Sequence, residues 1–376
     1  MNSLTTLCIF ITILFLYIHI AQQFKKGDDL DIYETDFTST KHLEDVCELK
    51  QPVLVNIENV LPNLFSDITP ENIARFSSHD VNIKDTNDYF AKEPSSVDSV
   101  LLPFSTSIRF FESDKQRHFI SENNQDFLDE SGLLTKMKMT DRLLKPSLSV
   151  NSQYDLWFGS CNSVTPLRYH TDSRHFLCVT TGKIRVKMTS WKSTKYLHQY
   201  RDYEKYEFRS LVHPTNPDKQ YHNDFDKTNF IEFDVKAGYM LYIPAYWWYS
   251  ISYLDDPSTF ICSIKYNTFV NCLSNSWDLS LYFLQQQNIT QKQPKQIDVD
   301  DINLINDNHT EEIIEQPSNG TTSLDELDTI QNEPNESVQD IPIETVDDDI
   351  IDMSANLTKI KALPEKENIQ FSVSGI

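Results

Sequence analysis

Short apolar runs that alternate with polar positions, each ended by a turn residue, fill the middle of the chain. Gly238 to Leu254 reads Gly-Tyr-Met-Leu-Tyr-Ile-Pro-Ala-Tyr-Trp-Trp-Tyr-Ser-Ile-Ser-Tyr-Leu. Gly238 follows Ala237 as a turn residue, because only glycine takes positive φ without a steric penalty. Met240 to Ile243 predicts a strand, which Pro244 stops by removing a ladder donor. Tyr249, Ile251 and Tyr253 then alternate with Ser250 and Ser252, the two-residue period of a second strand.

The same pattern recurs upstream. Leu156-Trp157-Phe158 is an apolar strand closed by Gly159-Ser160. Phe176 to Val179, a turn over Thr180-Thr181-Gly182-Lys183, and Ile184 to Met188 predict a hairpin. Ile184, Val186 and Met188 share its inner face, and Lys183, Arg185 and Lys187 the outer one. Phe230 to Val235 and Thr259 to Tyr266 complete the set, with Trp191 to Asp226 as a long polar connection. Nearer the start, Gln51 to Ile57 reads as a strand entered at Pro52. Thr69-Pro70-Glu71-Asn72 suits a helix N-cap with Pro at N1. Helices are also expected around Lys41 to Glu48 and over Ile120 to Leu134.

Both ends differ from this middle. Leu4 to Ala21 is apolar and uncharged, long enough at about 1.5 Å per residue to cross about 30 Å of hydrocarbon. It lacks a basic start and a signal cleavage site, so a single-pass anchor over 4–21 is expected. Lys25 and Lys26 follow it and favour a cytoplasmic body. A lead-in over 22–44 precedes the main domain, 45–285. The tail, 286–376, carries 20 acidic and five basic side chains, a composition that predicts disorder. Its Asn-x-Ser/Thr sequons at Asn288, Asn308, Asn319, Asn335 and Asn356 would make it lumenal if used.

Composition narrows the classes. A formal net charge of −23 excludes a nucleic-acid footprint. Six cysteines without CxxC spacing argue against a disulfide framework or zinc finger. With 22 Phe and 17 Tyr but only 7 Gly, an aromatic β core is the natural product of this chain.

Gly238-x-x-Leu241-Tyr242-Ile243-Pro244-x-x-Trp247-Trp248 resembles the late core motif of the JmjC-related cupin proteins. That group includes the asparaginyl hydroxylase that inhibits hypoxia-inducible factor, and similar cupin-like proteins occur in large DNA viruses. The Asn-, Ile- and Lys-leaning composition suits an AT-rich genome of that kind. The resemblance implies a mainly β fold, a double-stranded β-helix (cupin or jelly-roll) with flanking helices. It also implies, for active members, an Fe(II)- and 2-oxoglutarate-dependent oxygenase. A His normally follows the Trp pair, and here Tyr249 stands at the place of the third ligand.

The family's first two ligands form His-x-Asp after a Thr-Pro-x segment. Here the stretch is Thr165-Pro166-Leu167-Arg168-Tyr169-His170-Thr171-Asp172, and it reads in two registers. In one, His170 and Asp172 are the metal ligands, at the cost of two extra residues. In the other, which needs fewer gaps, Arg168 falls on the first ligand and His170 on the carboxylate. Arginine cannot lose its proton to bind a cation. His175, His213 and His222 are candidate replacements for a missing imidazole. The resemblance places the residue that holds 2-oxoglutarate at Ile184, and Lys265 is a candidate inward substitute for it.

These readings favour a membrane-anchored JmjC-like barrel with a degenerate metal site, acting as a binding or scaffold module with no cofactor. Its partner would be a protein or glycan, with a pocket formed by Arg168, Tyr169, Ile184, Trp247 and Trp248. The first alternative is an Fe(II)/2-oxoglutarate hydroxylase using His170 and Asp172. The second is a sugar-binding cupin, with a ring stacked near Tyr246, Trp247 and Trp248.

Overall fold

The computed structural model describes residues 3–23, 27–91, 93–254 and 259–287. The described residues fall within one compact unit. The acidic tail therefore lies outside the described residues, apart from its first two.

Among the described residues, fifteen strands form in chain order. The first six are β1 (Tyr33–Asp36), β2 (Val53–Asn56), β3 (Asp80–Asp85), β4 (Val100–Pro103), β5 (Phe119–Ser121) and β6 (Ser149–Gly159). They are followed by β7 (Arg168–Tyr169), β8 (Arg174–Thr181), β9 (Lys183–Thr189), β10 (Gln199–Asp202) and β11 (Glu207–Ser210). The last four are β12 (Ile231–Lys236), β13 (Tyr239–Ile243), β14 (Trp248–Tyr253) and β15 (Phe260–Thr268). One sheet has the order β1-β2-β13-β8-β15-β6-β5-β3-β4, and the other β10-β11-β7-β14-β9-β12. Two mainly antiparallel sheets with flanking helices are consistent with the expected cupin or jelly-roll barrel.

The core between the sheets follows from strand phase. On β9, Ile184, Val186 and Met188 are fully buried in one cluster with Leu177, Val179, Leu241, Ile251 and Tyr253. Lys183 and Arg185, on the other face, pair with Asp234 of β12. The β8–β9 turn rests on Gly182 at φ +73°, and Gly238 ahead of β13 sits at φ +91°. At Gly182 a methyl group would also overlap Thr259, at 2.1 Å from Oγ1 and 2.9 Å from Cα.

Three expectations change. The polar connection over Trp191–Asp226 contains the antiparallel pair β10–β11, which extends the second sheet through β7. The helix expected over Ile120–Leu134 is instead the end of β5 and two short helices, Gln125–Glu130 and Leu133–Lys138, parted by Gly132 at φ +74°. The third concerns the N-terminus, where the apolar run does form a helix, Ser3–Gln23. Among the described residues no helix is long and apolar enough to cross a membrane. The single-pass anchor expected over 4–21 thus finds no support among the described residues.

Gly182→Ala should destabilise the fold by roughly 1–3 kcal/mol, from positive-φ strain and the clash with Thr259. A fall in the urea midpoint with an unchanged m value is the expected reading.

Candidate functional site

At one end of the barrel the apolar core gives way to ionisable groups. Strand β7 lies between β11 and β14, and Arg168 stands directly opposite Tyr249 in register. Arg168 is 7% exposed and Tyr249 2%, so this guanidinium is desolvated. Its charge is met by Glu122, on the turn after β5, which is 2% exposed. Nη1 donates to Oε2 at 2.7 Å and Nη2 donates to Oε1, a two-pronged pairing that fits the guanidinium fork. Nη1 also lies 3.5 Å from Glu207 Oε1. The guanidinium lies over the Trp157 ring at 4.8 Å and the Tyr249 ring at 5.6 Å.

These contacts set the protonation states. Burial alone would raise the Glu122 carboxyl, but the Arg168 charge and its hydrogen bonds outweigh burial and hold it below the carboxylate range. Burial works against the Arg168 charge too, and Glu122 reverses that, so Arg168 stays protonated. The Tyr249 hydroxyl is pushed up by burial and keeps its proton. Asp155 is raised to about 6 by burial, although the backbone N–H groups of Asn123 and Asn124 and the Trp157 indole all donate to it.

Two histidines complete the interior. His170 follows β7 and His175 lies on β8, with ring centroids 4.7 Å apart and edge to face. His175 is fully buried, and its Nε2 lies 2.9 Å from Ser263 Oγ of β15. His170 is 6% exposed, and no side chain hydrogen-bonds either of its nitrogens. Its Nδ1 comes within 3.6 Å of Asp172 Oδ2, while Asp172 Oδ1 accepts from Asn267 Nδ2 at 2.6 Å. Burial pushes His170 down to about 4, with Asp172 opposing, and drives His175 well below the usual imidazole value.

The residues picked out from sequence divide between two faces. Arg168, His170, Tyr249, Ile184 and Trp247 turn into the barrel. Tyr169 and Trp248 turn outward, where Tyr169 stacks on Phe208 at 5.2 Å and meets the Trp248 edge at 4.9 Å. Trp247 and Trp248 are 1% and 0% exposed and belong to separate clusters. The single five-residue pocket expected from sequence is thus two half-sites, and the paired indoles offer no shared stacking face. Of the candidate replacement histidines only His175 reaches the interior. His213 Nδ1 accepts from the Asn216 backbone N–H in a turn, and His222 is exposed.

Lys265 pairs in register with His175, and the two share the inner face. Ile184 is apolar core, so it brings no charge to its position. Among the described residues, no group of three or more His, Cys, Asp and Glu could hold a metal ion. The donors at the two opposed β7 and β14 positions, a guanidinium and a protonated phenol, do not fit Fe(II). Sequence reasoning missed Glu122, Ser263 and Asn267. The last two were legible, since alternation along β15 puts Ile261, Ser263, Lys265 and Asn267 on one face. Glu122 was not, because a turn carries no periodicity.

Residues 33–275 match the model of the cupin-like domain family. The JmjC domain-containing protein D of Dictyostelium discoideum is 27% identical over 162 residues, covering 37% of this chain and 36% of the relative. The chain thus spans about a third of that curated relative. The viral source suggested by composition finds no support in these matches.

Two outcomes follow from the buried charges. Glu122→Gln leaves Arg168 buried and uncompensated, and should cost about 3–5 kcal/mol in denaturant unfolding. In the second, the unfolded chain protonates His170 near 6.5, and the folded chain refuses that proton until about 4. Stability is therefore whole above about pH 6.5 and falls as pH drops through this window, by up to about 3 kcal/mol. Urea midpoints between pH 7 and 4.5 should show the slope, and His170→Phe should flatten it in part, leaving the share of His175.

Proposed function

Because the chain belongs to the cupin-like domain family, we propose that it is a binding or scaffold module, a JmjC-like barrel whose metal centre has degenerated. One observation carries this reading: Arg168 faces Tyr249 where the resemblance calls for two imidazoles, and Glu122 occupies the guanidinium. An arginine stays charged at any physiological pH and repels a cation. Ile184, at the place of the residue that would hold 2-oxoglutarate, adds a second mismatch. The interior residues then serve to shape and polarise a pocket.

A second reading has one point in its favour. His170 has no side-chain hydrogen bond and stands beside Asp172, the pair that an Fe(II)/2-oxoglutarate hydroxylase would use.

Iron content after anaerobic reconstitution with Fe(II), with and without 2-oxoglutarate, separates the two. The expected result is substoichiometric iron and no succinate formed from 2-oxoglutarate. A full equivalent of tightly held iron per chain, lost on His170→Ala, overturns the degenerate-site reading in favour of the hydroxylase.

A further inference from the structure

The helix Phe104–Ser113 borders a surface cleft of about 1110 Å³, remote from the His170 site. Phe260, in the cleft, pairs beside Thr181 at one end of β8, whereas Lys265 pairs with His175 near the other end. The five residues between them span about 17 Å of strand. Three rings, Phe104, Phe111 and Phe260, form the floor, each packed on Phe158 at centroid distances of 5.4–5.6 Å. One wall is the helix itself, where Ser105, Ile108, Arg109 and Glu112 keep the i, i+3, i+4, i+7 spacing of a single face. The other wall carries the small side chains of Ala74 and Ser77. The result is a preformed trough with an apolar base.

Its rim carries charge of the opposite sign to the chain as a whole. Arg109, Lys115 and Arg117 are exposed, and among the described residues none of them makes a salt bridge. Asp114 does not offset them. Its side chain is 2% exposed, and its carboxylate accepts the backbone N–H groups of Gln116, Arg117, His118 and Phe119 at 2.8–3.3 Å. Those bonds hold Arg117 at φ +62° and fix the turn that carries Lys115 and Arg117. Among the described residues lining the cleft, Glu112 is then the one free carboxylate against three cations. In a chain of formal net charge −23, this local reversal selects an anionic guest.

The layout also selects its kind. Arg109 stands four helical residues, about 6 Å, before the end of its helix, and Lys115 and Arg117 follow that end. A single compact anion would therefore meet only part of the rim. A polymer charged at every unit would run against Glu112. A peptide whose acidic residues flank a large apolar one matches both the spread cations and the aromatic floor.

We propose that this cleft docks an acidic peptide segment of a partner protein. A Phe or Leu anchor sits on Phe104, Phe111 and Phe260, and the flanking carboxylates reach Arg109, Lys115 and Arg117. This goes beyond the barrel reading above and uses none of the interior residues, so it stands or falls apart from the iron result.

Fluorescence anisotropy of the full chain with labelled Glu-Asp-Phe-Glu-Asp tests it, beside neutral Gln-Asn-Phe-Gln-Asn and anchorless Glu-Asp-Ser-Glu-Asp. The first should bind saturably and the other two at least about tenfold more weakly. Binding should weaken as NaCl rises from about 0.05 M to about 0.5 M. Arg109→Glu and Lys115→Glu should each cost at least about tenfold, and Ala74→Trp, which fills the trough from the uncharged wall, should abolish binding. Arg142→Glu, exposed and outside the cleft, should leave it unchanged. In the wild-type chain the acidic Phe peptide should slow maleimide labelling of Cys161, which lines the cleft, a readout that needs no variant to fold. No saturable binding, equal binding of the neutral peptide, indifference to Lys115→Glu, or an unprotected Cys161 overturns the proposal. Tighter binding of dodecanoate than of the peptide also overturns it and reassigns the cleft to a small amphipathic anion.

Discussion

A guanidinium cannot be buried without a carboxylate, and this end of the barrel is arranged around that requirement. Arg168 enters from a strand of two residues, Arg168–Tyr169, too short to hold a charge in place by backbone pairing alone. The Glu122 carboxylate meets it from the other sheet, delivered by the turn after β5. The pair therefore ties the two sheets together at the point where the apolar core ends. The Trp157 and Tyr249 rings supply the remaining surface, taking the flat face of the guanidinium while Glu122 takes its edge.

The tie continues outward. Glu207 lies 3.5 Å from Arg168 and 3.9 Å from Arg209, and Arg209 lies 3.6 Å from Asp202. Arg209 is wholly buried, with Tyr89 and Tyr200 against its guanidinium. A line of alternating charges thus runs from the β10–β11 hairpin into the barrel. Each charge on it is held by neighbours of opposite sign, which makes single substitutions along the line costly and coupled. The hairpin is bound to the interior by this line as well as by its hydrogen bonds to β7.

How much of this was legible from sequence depends on whether a residue sits on a periodic element. Strands β8, β9, β13 and β14 could be read because Gly182, Gly238 and Pro244 punctuate clean alternation, and the inward set Ile184, Val186 and Met188 followed from it. Strands β10 and β11 could not. Their sequences, Gln-Tyr-Arg-Asp and Glu-Phe-Arg-Ser, carry inward arginine and aspartate where a pattern search asks for apolar residues. Spacing alone leaves the register at Arg168 open. The pairing of Arg168 with Tyr249 places them side by side, a fact about two strands rather than one. The pocket expected from sequence includes Tyr169 and Trp248, but a strand sends sequence neighbours to opposite faces.

The clasp between Arg168 and Glu122 is made of side chains alone. No ion is needed to bridge Arg168 and Glu122, because the guanidinium fork and the carboxylate complete each other. The seam between the two sheets is closed here by charge pairing within the chain itself.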